Sequence, residues 1–550
     1  MKFKFDWKII IFFVTVALAI FLRVYHFSDW LFFKMDQARD AFLIKQTLEN
    51  GPSWLPLLGP KAGGTDLNLG PVFYYFQYVS AFLFQSAHPA ILAFPDLLFS
   101  ILSIPLFYFF LKKYFSRDWS IILASLYAIC FLGIQYSRFS WNPNGLVFFN
   151  LLFFLSLLNI FNEKIKYRLR WVILAGISFA VSTQLHFLSF LTLPVIIVIF
   201  IAFNRKEAKR ALNWKYIFLF FFMIILLYLP VFFNEIISKG ENTHQFILAL
   251  KEKLSAHSFW KNVNRNFRYW GQNWFLIFTS WISQKGGIKG AIIAWLGVIL
   301  PALFLSFRFF RREKNSIRKK FLLISLLWFF VYFLTYIPIA YQIRPRFFLP
   351  LLELPFIFIG YLAVFFWKKK RLFWKIYVAG ALLVIFFGNL AGTFFWFKEI
   401  QAAQNNPVRP WRTIILKAKD GITLAHLEKA VEYTKNDCEK PLVCYLASAE
   451  YKNPFRYLYS LENISASPIL DCKDKKDECF YAFGLARAQK KKINPNIAKK
   501  FDITGQENVG ALAIYKLQPK EEFSENIGFL EEKEEKSKRI FWKDISLLWK

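Results

Sequence analysis

Met35-Asp36-Gln37-Ala38-Arg39-Asp40-Ala41 is the stretch on which the reading of this chain turns. It sits in the connection from Tyr25 to Pro71, directly after the first apolar run. The same connection holds Leu58-Gly59-Pro60-Lys61 and Asp66-Leu67-Asn68-Leu69-Gly70-Pro71. A long loop with charges of both signs and several Gly and Pro reads as a site rather than a tether.

Outward from that loop the chain is apolar. Of its 550 residues 56% are hydrophobic and 20% aromatic, with 69 Phe. The apolar residues come in runs near 20, the length that crosses a hydrocarbon core of roughly 30 Å as a helix. Ile9–Leu22 has no small-residue cleavage site after it and reads as a retained first span, not a signal peptide. The expected spans are 8–24, 89–111, 119–136, 145–161, 171–185, 187–203, 215–233, 289–309, 321–339, 347–367 and 372–397. Val72–Ser86, only 15 residues long, suits a juxtamembrane helix instead. Residues 171–203, divided at Gln184-Leu185-His186, read as a tight hairpin or a broken pair.

The net charge of +33 does not indicate nucleic acid. Lys and Arg gather between spans, at Lys112–Arg117, Lys164–Arg170, Arg205–Lys215, Arg308–Lys320 and Lys368–Arg371, as in cytoplasmic connections next to anionic lipid. The N-terminus then lies in the cytoplasm of a multi-pass cell-membrane protein. The Asp36 loop, Ser137–Gly145, Asn234–Gly290 and Ala340–Arg346 lie outside.

After residue 397 the composition becomes mixed. Residues 398–530 read as a small extracytoplasmic α/β domain. Thr423–Asn436 is an amphipathic helix, and Pro441–Ser448 and Phe501–Leu517 are strands, the latter broken by a turn at Gly505–Asn508. Residues 531–550 read as a charged tail, flexible or lying on the membrane. Cys438, Cys444, Cys472 and Cys479 fall in this domain, an even number that fits disulfides; their spacing is unlike a zinc site.

Asp36 follows Phe32-Phe33 and is the candidate base, or orienting carboxylate, for an acceptor hydroxyl or amine; the plainer reading is a helix cap. Arg39, three residues on, can grip phosphate oxygens or simply pair with Asp36 or Asp40. Asp40 is a second candidate acid, and Lys61 and Asp66 are site groups or surface charges. Arg138 is a candidate phosphate clamp, with Trp141 beside it as a sugar contact or interfacial anchor. Arg344 and Arg346 run against the positive-inside trend and suggest an anionic ligand. His186, Asp96 and Glu353 are polar groups within or at the ends of spans. No Walker loop, dinucleotide glycine pattern, HExxH or GxSxG stands in a sensible place.

With these residues quoted, the chain resembles polytopic glycosyltransferases of the GT-C fold, family 39 and relatives, which include protein O-mannosyltransferases and the lipid A aminoarabinose transferase. Their first outer loop carries an Asp-Glu pair, often followed by Arg and a small residue. Asp36, Arg39 and Ala41 match, while Gln37 stands in place of the Glu. Gly70-Pro71-Val72-Phe73-Tyr74-Tyr75, Tyr136-Ser137-Arg138 and Arg346-Phe347-Phe348-Leu349-Pro350 are also similar to family patterns. The resemblance covers roughly residues 8–370. It implies an all-α membrane bundle of about eleven transmembrane helices. It further implies inverting transfer of a sugar from a polyprenyl-phosphate donor to a lipid, glycan or protein acceptor. Asp36 would be the catalytic carboxylate, and Arg39, Arg138 and Arg344 or Arg346 would hold the lipid phosphate as it leaves; Asp40 and Lys61 join them as substrate-binding candidates from the residues themselves. No metal ligand is assigned, though a divalent metal is compatible with the resemblance. A lipid-linked-sugar flippase and a non-catalytic scaffold are the rival classes.

Overall fold

The computed structural model describes residues 7–252, 258–282, 287–415, 418–437, 441–445, 451–462, 479–486, 501–520 and 539–549. The expected pairing of Cys438, Cys444, Cys472 and Cys479 lies outside the described residues.

Apolar runs become the helices of a bundle. Helix α1 (Trp7–Val24) leads to α2 (Met35–Asn50), which holds the Asp36 motif. Then come α3 (Val72–Phe84), α4 (Pro89–Leu111), α5 (Arg117–Ala128), α6 (Phe131–Tyr136), α7 (Leu146–Ile160), α8 (Arg168–Leu185) and α9 (Phe187–Phe203). The chain continues through α10 (Arg205–Ala211), α11 (Trp214–Ile237), α12 (Glu241–Glu252), α13 (Phe259–Thr279), α14 (Ile288–Ala294) and α15 (Leu300–Arg312). The bundle ends with α16 (Ser316–Tyr336), α17 (Leu354–Trp367) and α18 (Leu372–Asn405).

Each expected span contains a helix. By length and composition alone, however, four of the described helices can cross a bilayer: α4, α11, the α14–α15 unit and α18. Two bent pairs raise the number to six, α9 with α10 at 100° and 345–351 with α17 at 61°. The others are short, polar-ended or broken. The 119–136 span, for instance, is interrupted at Ile129-Cys130, between α5 and α6.

Helix α3 is too short to count as a span. At its start Tyr75 donates to the Pro56 carbonyl (3.0 Å), and just beyond its end the Ala87 carbonyl accepts from Tyr457 (2.5 Å). Both partners lie on the Asp36 face, and a helix of 13 residues is far shorter than a bilayer core. Between α8 and α9 the chain reverses at His186, whose Nδ1 accepts the Leu188 amide (3.1 Å) as an N-cap.

The expected outer connection 234–290 is not an open loop but is largely helical. It contains α12 and α13. The buried face of α13 follows Asn262, Asn266, Trp270, Trp274 and Ile277, one residue per turn. Trp270 and Trp274 pack against Phe329, Phe348 and Phe358. Asn389 of α18 donates to the Ile277 and Phe278 carbonyls at the end of α13 (3.1 Å each) and accepts the Phe131 amide (2.8 Å).

Beyond α18, α19 (Leu424–Asp437) and α20 (Lys452–Leu461) accompany a four-stranded sheet of order β1-β2-β4-β3. Its strands are β1 (Pro441–Tyr445), β2 (Cys479–Leu485), β3 (Phe501–Val509) and β4 (Leu512–Pro519); β1 and β2 are parallel, the other pairs antiparallel. The expected turn at Gly505–Asn508 is also corrected. Those residues pair within β3 past a register shift at Ile503/Gly505, and the reversal falls at Gly510-Ala511. The small domain rests on the Asp36 loop. The Leu424 and Ala425 amides donate to the Leu31 (2.8 Å) and Asp29 (3.2 Å) carbonyls, and Tyr457 packs on Phe33 and Phe42.

The tail differs from expectation as well. Residues 539–549 lie on the Asp36 loop. Leu57 donates its amide to the Ile540 carbonyl (2.9 Å), Trp542 donates its amide to the Leu55 carbonyl (3.1 Å), and the Trp542 indole donates to Tyr75 (2.8 Å).

Candidate active site

Lys34 is extended and caps α2: its amide donates to Gln37 Oε1 (3.2 Å). Gln37, the residue in place of the family's Glu, thus closes the helix start. Asp36 follows in the first turn, where the helix dipole favours a carboxylate.

The two acids of the motif occupy different environments. The Asp36 side chain is 46% exposed and that of Asp40 only 5%. Asp40 Oδ1 accepts from Arg39 Nε (2.9 Å) and Nη2 (2.8 Å) and from the Tyr74 hydroxyl (2.9 Å). Asp36 Oδ1 meets Arg39 Nη1 only at 3.5 Å. Burial works against the Arg39 charge, but Asp40, Tyr74 and Asp36 outweigh it and hold the guanidinium above its ordinary value. Asp40 is therefore consumed by structure, whereas Asp36 keeps oxygen lone pairs for a ligand.

Two cavities meet at Asp36. The first, about 700 Å³, runs between α2, α13, α14 and residues 414, 415, 418 and 419; Lys34, Tyr136, Tyr269, Ile288, Ile293 and Lys419 are among its walls. It borders the outward surface of α14, where Ile288, Ile292 and Ile293 are exposed. The second, about 1240 Å³, lies over the 60–66 hairpin and is lined by Arg39, Lys61, Asp66, Asn142, His186 and Tyr341. Asp36, Trp141, Arg344 and Arg346 line both, and among the described residues Asp36 is the one carboxylate that does so.

Arg344 and Arg346 frame the start of the 3₁₀ segment Pro345–Leu351. The Arg346 guanidinium lies over the rings of Trp141 (5.3 Å) and Phe347 (5.5 Å). Burial lowers its pKa from the ordinary guanidinium value, while Tyr136 and Asp36 pull it back up. Trp141 is held by Asp96, which accepts its backbone amide (2.9 Å). The hairpin that carries Lys61 needs glycine at its base. A Cβ on Gly70 would stand 2.3 Å from Gln184 Cγ, and one on Gly59 would stand 2.1 Å from the Gly70 carbonyl oxygen.

Arg138 lies elsewhere, and the expected clamp is corrected. It is 1% exposed and lines neither cavity. Its terminal nitrogens donate to the carbonyls of Leu22 (3.2 Å), Arg23 (2.8 Å), Tyr25 (2.7 Å) and His26 (3.1 Å). It caps the end of α1, where orphan carbonyls and the dipole favour a cation. Lys61 does line the second cavity, but with its ammonium on Asp66 (2.7 Å). His186 also lines it, while Glu353 is buried in the bundle as an acceptor from Tyr127 (3.2 Å).

Two participants were not expected from sequence. Lys34 lines the first cavity with its ammonium on Asp420 (3.0 Å) and over Tyr451 (3.8 Å), and Tyr451 also donates to Asp420 (2.5 Å). Helix α13 supplies Tyr269, Gln272 and Asn273. Lys34 had a signal, its place two residues before Asp36; its partner lies 386 residues away. No three His, Cys, Asp or Glu gather as metal ligands among the described residues. The donors around Asp36 do not suit a divalent cation: Gln37 is spent on capping, Asp40 on Arg39, and the neighbours are cationic.

Residues 68–232 match the family model of dolichyl-phosphate-mannose-protein mannosyltransferases. No curated protein matches the chain. Among solved structures, the fold is similar to that of ArnT from Cupriavidus metallidurans bound to undecaprenyl phosphate, at 12% identity. That match covers 92% of this chain and 97% of ArnT, with a TM-score of 0.51. It is similar also to the archaeal oligosaccharyltransferase AglB from Archaeoglobus fulgidus, in complex with an inhibitory peptide and a dolichol-phosphate. Identity there is 14%, coverage 88% of this chain and 70% of AglB, and the TM-score 0.50. The chain thus has the GT-C fold of these membrane proteins and is similar, over residues 68–232, to the dolichyl-phosphate-mannose-protein mannosyltransferases.

Proposed function

We propose that the chain is an integral membrane glycosyltransferase that moves a sugar from a polyprenyl-phosphate-linked donor to a lipid, glycan or protein acceptor. The observation that carries this reading is the place of Asp36 on the shared wall of two cavities, opposite Arg344 and Arg346. The first cavity, beside the exposed apolar side of α14, suits the donor's prenyl phosphate. The second, over the polar hairpin, suits the acceptor.

Asp36 orients the acceptor and takes its proton as the acceptor oxygen or nitrogen bonds to the anomeric carbon. The bond from that carbon to the phosphate oxygen breaks. Arg344 and Arg346 stabilise the charge that develops on the departing phosphate. No step is assigned to a metal. The family match begins at residue 68, so the role of Asp36 rests on geometry and on the motif rather than on that match. The basic connections orient the Asp36 face to the outside of the cell membrane and the N-terminus to the cytoplasm.

The test is incubation of the purified protein in lipid with a panel of polyprenyl-phosphate sugars and candidate acceptors. Release of polyprenyl phosphate with sugar transfer is expected. Failure of every donor would overturn the reading.

A further inference from the structure

Arg39 stands between two carboxylates of its own helix and is shared unequally. Two of its nitrogens lie within 2.9 Å of Asp40 Oδ1, but its approach to Asp36 is 3.5 Å. Nothing in helix geometry imposes that preference. Residue i−3 lies on the same face as Arg39 and is a natural partner, whereas residue i+1 points about 100° away. The bias comes from the surroundings. Asp40 is buried, and a buried carboxylate without a cation is costly, so it draws the guanidinium inward. Tyr74 of α3 donates to the same oxygen and fixes the Asp40 rotamer. Tyr74 is itself fully buried and follows Gly70-Pro71, whose close approach to Gln184 sets where α3 begins.

We propose that Asp40 is a positioning residue: with Tyr74 it draws Arg39 towards itself and holds the Arg39–Asp36 ion pair long, at 3.5 Å, so that the Asp36 carboxylate stays available at the junction of the two cavities. The catalytic consequence rests on the proposed function, but the parking itself does not. Without the Asp40 charge, the long Arg39 side chain would turn to Asp36, the nearest remaining carboxylate on its face. The long Arg39–Asp36 ion pair would then close and occupy the carboxylate.

Carbodiimide-driven coupling of an amine to carboxyl groups, read at Asp36 by peptide mass spectrometry, tests this without any sugar substrate. The proteins compared are wild type, Asp40→Asn, Asp40→Glu and the double variant Arg39→Gln/Asp40→Asn. An adjacent Arg shifts a carboxylate by about one pKa unit or more, so Asp36 labelling is expected to slow about tenfold in Asp40→Asn. Asp40→Glu keeps the anchor and should label like wild type. The double variant, with no guanidinium to move, should return to within about threefold of wild type, as expected for groups that act as one unit. Wild-type labelling in a folded Asp40→Asn protein would overturn the proposal.

The double variant removes a buried charge pair together, which proteins tolerate better than removal of one partner. It therefore serves even if Asp40→Asn does not fold. Tenfold faster labelling there than in wild type would mean that Arg39 already masks Asp36, and would equally overturn the proposal. Where transfer activity is found, Asp40→Asn should lower kcat and leave the donor KM unchanged. Absence of transfer by wild type would count against the proposed function and leave the labelling result standing.

Discussion

Asp36 and Arg138 looked alike in the sequence, charged residues just past an apolar run, and they have opposite fates. Asp36 keeps an exposed carboxylate at the junction of two cavities, while the Arg138 fork is filled by four carbonyls at the end of α1. Asp36→Asn is expected to cut transfer by roughly 10²–10⁴-fold, the usual worth of a general base, with thermal stability unchanged. Near wild-type turnover by the folded variant would remove Asp36 from the mechanism. Arg346→Ala should weaken binding of a polyprenyl phosphate more than Arg346→Lys, because Lys keeps the charge and loses the fork. Titration of both variants with that lipid decides it, and equal affinities in Ala variant and wild type would assign Arg346 to packing on Trp141. Transfer should also persist in EDTA, since the groups around Asp36 are cations or already bonded; loss restored by a divalent salt would refute this. Asp36 was legible because its neighbours in sequence are its neighbours in space. The partners of Arg138 lie about 115 residues away, and no local pattern carries that information.

Among the elements, α4 and α11 could be read directly, since length and apolarity suffice to announce a span. Helix α13 could not: Asn262 and Asn266 occupy its buried stripe, so a search for apolar periodicity sees a polar loop. The docking of α19 was equally hidden. His426 there accepts the Thr423 amide at Nδ1 (3.1 Å) and donates from Nε2 to the Ala403 carbonyl (2.9 Å). That arrangement needs neutral imidazole, because a proton on Nδ1 would face the Thr423 N–H. Burial lowers the His426 pKa below its ordinary 6.5, so the unfolded chain takes up the proton first. The contribution to stability is complete above that ordinary value and is lost as the pH falls below it. Melting of the wild-type protein should therefore weaken between about pH 7.5 and pH 5.5, and His426→Gln should flatten that dependence. Equal slopes in the two proteins would show that other groups govern it.

At the scale of the whole molecule, the 539–549 segment and the small domain both close on the loop that carries Asp36. Lys543 lies over Trp54 (2.9 Å), and Phe541 bridges to Pro56. Removal of residues 539–550 should speed hydrogen exchange at the Leu57 amide, whose acceptor is the Ile540 carbonyl, and leave mid-bundle helices protected. Unchanged exchange at Leu57 would mean that the tail adds nothing to the loop.

The same contacts fix which parts of the chain share a face. The small domain touches the loop through Lys34–Asp420 and the N-cap of α4 through His88–Glu428, and α4 runs from Pro89 to Leu111, capped by Lys112. Its 23 residues span about 34 Å at 1.5 Å per residue, so Lys112 emerges on the opposite, basic face. A helix α3 that stays on the Asp36 face is the arrangement the Lys/Arg bias requires. Single cysteines at exposed positions 66, 411 and 507, in a cysteine-free background, should react with an impermeant reagent added outside intact cells. Cysteines at exposed positions 314 and 370 should react only after permeabilisation. Labelling of 66 and 507 from opposite sides would contradict the packing of the small domain on α2. Labelling of all five positions in the reverse sense would place Asp36 in the cytoplasm and overturn an outer-face transfer.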